Sequence, residues 1–131
     1  MQEPSKKEFE AIVKNTPNLC MSGLVDDGYC KQFKIDPILN KKDLLNCFKE
    51  FKLCCEWLSR CKQTKIVTNN APGSYGLKHM IEFHFKTYIS NGAVISAVMF
   101  LGIPYKIDPD PPNITVGISK KCPFYMEHLV H

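Results

Sequence analysis

A chain of 131 residues with 44% apolar and 23% charged residues suits one domain around a single core, and this ordinary balance excludes wholesale disorder. The net charge of +4 permits an anionic partner without demanding one, and Arg60 is the only arginine among 17 basic residues, which weakens recognition through the bidentate guanidinium fork. The polar start MQEPSKKEFE lacks the apolar core of an export signal, and the most apolar window, Gly92 to Ile103, is about half a bilayer span, so a cytoplasmic protein with no membrane partner is expected.

Ser5-Lys6-Lys7-Glu8 has the capping-box pattern before Phe9, Ile12 and Val13, which predicts a short helix ended by Thr16-Pro17. From Asn18 to Ile35 turn residues such as Gly23, Asp26, Asp27 and Gly28 interrupt scattered apolar ones, and no element is assigned. Asn40 with Asp43 reads as the N-terminus of a helix running to Lys62, with Leu44, Cys47, Phe51, Cys54, Leu58 and Cys61 on its apolar stripe. TKIVT, Thr64 to Thr68, predicts a strand, and the turn cluster Asn69 to Gly73 follows it.

Ser74 is expected to cap a helix whose inward face is Leu77, Met80, Ile81, His84 and Phe85. Ser90 or Asn91 caps another, closed by Gly102 and Ile103-Pro104. Tyr105 to Ile107 and Ile114 to Ile118 predict a hairpin around the proline-rich loop Asp108 to Asn113. The expected fold is α+β and mainly helical: a winged-helix-like helix-turn-helix with a C-terminal β-hairpin. Residues 1–131 form a single domain in this reading, with 1–40 holding the N-terminal helix and irregular segment, 41–121 the winged-helix-like core and 122–131 a frayed tail.

The second helix of the pair is chargeless, and two readings compete for it. In a groove-binding protein Ser90, Asn91 and Ser96 face the bases, and the free amides at the helix start hold a phosphate. Lys62, Lys65, Lys78, Lys86, Lys106, Lys120 and Lys121 then contact the backbone, which adds affinity without sequence choice. In the other reading a helix apolar on every side is buried on every side, against the N-terminal helix or another subunit. Trp57, Met99 and Phe100 are the candidate protein interface, and a homodimer is one way to cover it.

Ser74-Tyr75-Gly76-Leu77-Lys78-His79, then Tyr88-Ile89-Ser90-Asn91-Gly92-Ala93, then Pro112-Asn113 before a strand, together resemble a pattern in small uncharacterised bacterial proteins carried on plasmids and other mobile elements. The resemblance covers the C-terminal half and implies a bacterial or phage-like setting, with no activity attached.

The seven cysteines are expected as free thiols in a reducing compartment. Cys47, Cys54 and Cys61 recur at seven, ~10 Å apart along a helix, so they cannot cross-link one another and read as small core hydrophobes. Cys122, His128 and His131 could supply zinc ligands, with Cys20 or Cys30 as a distant fourth, but the usual two close pairs are missing and no metal or cofactor is expected. His79 and His84 point to different sides of their helix, and HExxH, GxSxG and glycine-rich phosphate loops are absent, so an enzyme is the least supported class. The function expected is that of a small non-enzymatic regulatory protein binding DNA through its helix-turn-helix, with a protein-binding inhibitor or adaptor using helix 91–101 as the alternative.

Overall fold

The structure, a computed structural model, describes residues 3 to 129, and among them seven helices and two two-stranded antiparallel hairpins give an α+β architecture. Helix α1 (Lys6–Asn15) begins with the capping box read from the sequence: Ser5 Oγ accepts from the Glu8 amide at 3.1 Å, and Glu8 Oε1 accepts from the Ser5 amide at 3.0 Å. Phe9 and Val13 face the core. Lys41 Nζ donates to the carbonyls of Val13 and Thr16 and so closes the helix's C-terminal end.

The unassigned stretch holds three small elements. Strands β1 (Leu19–Cys20) and β2 (Gly23–Leu24) pair with Leu19 opposite Leu24. Helix α2 (Asp27–Phe33) follows, capped by Asp26, whose carboxylate accepts from the Tyr29 amide at 2.7 Å. Strands of two residues carry no readable alternation, which is why they escaped pattern reading.

The single helix expected from Asn40 to Lys62 is instead two. Helix α3 (Pro37–Leu45) starts earlier, with Asp36 as cap and Pro37 in its first turn; α4 (Phe48–Ser59) starts after a break at Asn46-Cys47. Asn40 lies inside α3, and its side-chain oxygen accepts from the Ser22 amide at 2.9 Å. Cys47, Cys54 and Cys61 are therefore not one helical stripe, although all three are buried. TKIVT forms no strand either; its neighbourhood supplies one isolated bridge, Gln63 to Ile118.

Helix α5 (Ser74–Phe85) is capped by Gly73 rather than Ser74, whose hydroxyl points inward and accepts from the Ile114 amide at 3.1 Å. It ends at Lys86, a non-glycine residue in the left-handed region at φ 54°. Helix α6 (Asn91–Leu101) has the predicted ends, Ser90 and Gly102. Every residue from Asn91 to Val98 is buried, because α6 is the central rod of the core, in contact with α1, α4, α5 and β2. Gly92 makes this possible: a Cβ there would sit 2.1 Å from the Cys20 carbonyl oxygen.

Strands β3 (Tyr105–Ile107) and β4 (Ile114–Val116) form the expected hairpin, with Lys106 opposite Thr115. The expected tail is part of the fold: α7 (Pro123–Glu127) buries Tyr125 and packs Phe124 on Trp57 at 5.2 Å between ring centres. No helix among the described residues is long and apolar enough to cross a membrane.

Candidate functional site

The three sequence segments that carry the resemblance meet in space. The start of α5, the start of α6 and the loop before β4 surround a cleft of about 370 Å³ lined by Tyr75, Lys78, Tyr88, Asn91, Pro112 and Asn113. The far wall comes from Met21, Ser22 and Tyr29, in the stretch that sequence reading left unassigned. The first turns of two helices and a proline-rich loop supply most of the lining, so the elements fix the walls while leaving the centre open.

Lys78, expected as a backbone contact, is instead buried at 9% exposure and anchors the cleft. Its ammonium lies 4.8 Å from the Tyr88 ring centre and 5.9 Å from that of Tyr75, and it is paired with Glu82 Oε1 at 3.0 Å. Glu82 also accepts from His79 Nδ1 at 3.0 Å and from the Ile89 amide at 3.3 Å, so it ties α5 to the turn before α6. Burial works to raise the Glu82 pKa, but the hydrogen bonds from Lys78 and Ile89 and the charges of Lys78 and His79 prevail and hold it below the usual carboxylate value.

Asn91 forms the floor. Its Nδ2 donates to the Ser22 carbonyl at 3.1 Å and to Asn113 Oδ1 at 3.0 Å, with the Pro112 carbonyl at 3.5 Å. Three surrounding acceptors fix which end of the amide faces them, and its buried Oδ1 has no hydrogen-bond partner.

This arrangement revises the roles given to Ser90, Asn91 and Ser96. None of the three can face base edges in a groove, because all are buried. Ser90 Oγ accepts from the Ala93 amide, Asn91 holds the cleft floor, and Ser96 Oγ donates to the Gly92 carbonyl at 2.7 Å. The helix start is not free for a phosphate either: the Ser90 amide donates to Glu50 Oε1 at 2.7 Å and the Gly92 amide to the Met21 carbonyl at 2.9 Å. A carboxylate already occupies the position that an anion would seek.

The candidate protein interface packs largely against the rest of the domain, with Trp57 buried and Met99 and Phe100 partly so. Trp57 is buried under Phe124, Phe100 packs edge-on against Phe51 at 5.6 Å, and the Met99 sulfur lies 3.9 Å from the Thr16 hydroxyl, which donates to the Ile12 carbonyl at 2.8 Å. Helix 91–101 is covered by its own domain from Asn91 to Val98, and Met99, Phe100 and Leu101 at its end stay partly exposed.

The lysines separate into groups. Lys62 and Lys65 lie in a segment joined to the chain after β4: Ser119 donates to the Lys62 carbonyl at 2.8 Å and Thr64 to the Gly117 carbonyl at 2.9 Å. That pairing sets them in the same region as Lys120 and Lys121, and all four are exposed. A groove of about 470 Å³ lined by Gly73, Gly76, His79, Lys120 and Tyr125, among others, leads from there to α5. Lys106 is exposed on β3, and Lys86 caps α5 with its ammonium 5.6 Å from the Phe83 ring centre.

The histidines and cysteines are placed differently from expectation. His84 is exposed in the last turn of α5 rather than buried with the inward stripe, and its Nδ1 lies 2.9 Å from His128 Nε2. His128 Nδ1 is 2.7 Å from the Phe124 carbonyl and so must donate to it. With that bond made, the pair is closed when His84 donates from Nδ1 to His128 Nε2. Burial, followed by the neighbouring charges of His128 and Arg60, lowers the His84 pKa against a smaller opposing effect of Glu56.

All seven cysteines are free. Burial pushes Cys47, Cys55 and Cys61 up to about 12, and Cys54 well above its ordinary value, which suits core filling and opposes thiolate chemistry. Among the described residues no three His, Cys, Asp or Glu side chains converge on a metal position; His131, one of the zinc candidates beside Cys122 and His128, lies outside them. Comparison with protein-family models, curated proteins and solved structures finds no match.

Proposed function

We propose that the protein is a small non-enzymatic regulatory protein that binds nucleic acid as a single strand across the outer face of α5, and not as a duplex held by α6. The observation that carries this reading is a row of exposed rings interleaved with lysine. Tyr75, Phe83 and Tyr88 are 55%, 66% and 58% exposed, with the Lys78 and Lys86 ammonium groups over the last two faces in the order Tyr88, Phe83. Rings of this kind stack bases of any sequence, and the exposed Lys86 beside them can follow a phosphate, whereas Lys78 is buried and paired with Glu82. The groove past His79 and Lys120 gives a strand a path to Lys62, Lys65 and Lys121.

The winged-helix-like description has its support in element order, helix, turn, helix and hairpin, and the buried α6 turns its expected use inside out. The bacterial, mobile-element setting and the cytoplasmic location belong to the same proposal and rest on the sequence.

The test is anisotropy of a labelled oligothymidine and of a duplex of equal length in a salt series. Single-strand affinity should exceed duplex affinity and fall with salt at a logarithmic slope of roughly −0.7 per phosphate neutralised. Absence of single-strand binding at about 50 mM salt, where such contacts are strongest, defeats the reading.

A protein partner is the second reading, favoured by the scarcity of arginine and by exposed Phe33, Ile38 and Leu39 on α2 and α3. It predicts binding insensitive to salt and abolished by Leu39→Asp.

A further inference from the structure

We propose that the cleft behind Lys78 seats one unpaired nucleobase with its phosphate at the mouth, an inference that rests on the single-strand reading and gives that surface a specific pocket. The cleft, at about 370 Å³, lies in the size range of small-ligand sites and is too narrow for a helix of nucleic acid. Its lining combines aromatic and polar side chains, as a base requires. Tyr29, Tyr75 and Tyr88 offer ring faces, Lys78 has ammonium protons beyond the one given to Glu82, and the floor is polar.

The unused hydrogen-bonding groups point the same way. Asn113 accepts from Asn91 through Oδ1, and among the described residues nothing accepts from its Nδ2. Asn91 Oδ1 in the floor is a buried acceptor with no donor, and the Ser22, Tyr29, Tyr75 and Tyr88 hydroxyls line the same cleft. A planar ring edged with donors and acceptors suits such a floor, whereas an alkyl chain would leave these groups unpaired and a bare phosphate would leave the rings unused.

The experiment uses the full chain and three probes: an oligothymidine, a wholly abasic strand of the same length and charge, and thymidine monophosphate. The oligothymidine should bind at least tenfold more tightly than the abasic strand. The double variant Tyr75→Ala, Tyr88→Ala should bring the two to the same affinity without changing abasic binding, and Tyr75→Phe, Tyr88→Phe should retain the preference. A melting curve checks that the alanine variant is folded, as its two rings are more than half exposed. Saturable monophosphate binding lost in the alanine variant identifies a free nucleotide as a ligand; base-dependent strand binding without it identifies a nucleotide within a strand. A thymidine preference that survives in the alanine variant, with no monophosphate binding, overturns the pocket and leaves stacking on the remaining surface standing, whereas equal affinity of the unaltered protein for thymidine and abasic strands overturns both. Failure of both strands, with no monophosphate binding, overturns both.

Discussion

Helices α5 and α6 are neighbours of nearly equal length, 12 and 11 residues, yet they stand in opposite relations to water. Helix α6 has no charged residue and is sealed from Asn91 to Val98, whereas α5 buries Leu77, Met80 and Ile81 and turns Tyr75, His79 and Phe83 outward. Continuous apolarity therefore reports depth in the core. Rings that remain exposed on a helix already anchored by aliphatic residues are the better pointer to a partner, since folding gains little from them.

The largest expected effect breaks the comparison on the buried side. Gly92→Ala places a methyl 2.1 Å from the Cys20 carbonyl, a backbone atom with no rotamer to change, and should cost about 3 kcal/mol or more and abolish a cooperative melting transition. A paired substitution measures the contrast directly. Ile95→Ala on α6 removes a fully buried side chain and should cost about 2–5 kcal/mol, while Phe83→Ala on α5 should stay within about 0.5 kcal/mol and instead weaken oligonucleotide binding. Equal losses of stability in urea melts would show that the outer face of α5 belongs to the core after all.

A smaller effect lies where α5 meets α7. The folded-state pKa of His84 is lowered, so the unfolded chain binds its proton first, and the stability this residue supports is complete above the ordinary value of 6.5 and lost as pH falls below it. Melting temperature should decline between pH 7 and pH 5, and His84→Asn should flatten that decline. Glu82 acts in the same sense at lower pH, below its ordinary 4.5, because its folded pKa is also lowered. The two windows can therefore be separated by titration.

Legibility in the sequence followed the reach of each signal. Side-chain caps such as Ser5 and Ser90, and the left-handed stop at Gly102, act within four residues and were readable. The break at Asn46-Cys47 was not, because the apolar spacing continues across it from Leu44 to Phe51, and pattern alone cannot distinguish one helix from two. His84 shares the angular stripe of Leu77, Met80 and Ile81 but sits in the last turn of α5, where the stripe has run past the core, and α7 is too short to show a period. In the cleft, Lys78 and Asn91 were singled out, but as parts of a duplex contact; Met21, Ser22 and Tyr29 went unnoticed because only tertiary structure brings residues near 20 beside residues near 90.

The left-handed Lys86 leads to a trade-off. Glycine adopts that backbone region freely, whereas lysine does so at a cost, so Lys86→Gly should raise the melting temperature by the equivalent of about 1 kcal/mol. The same change removes an ammonium group that lies over Phe83, and a more stable protein that holds oligonucleotide less well would mark this position as one where comfort of the chain has been surrendered for contact with a ligand.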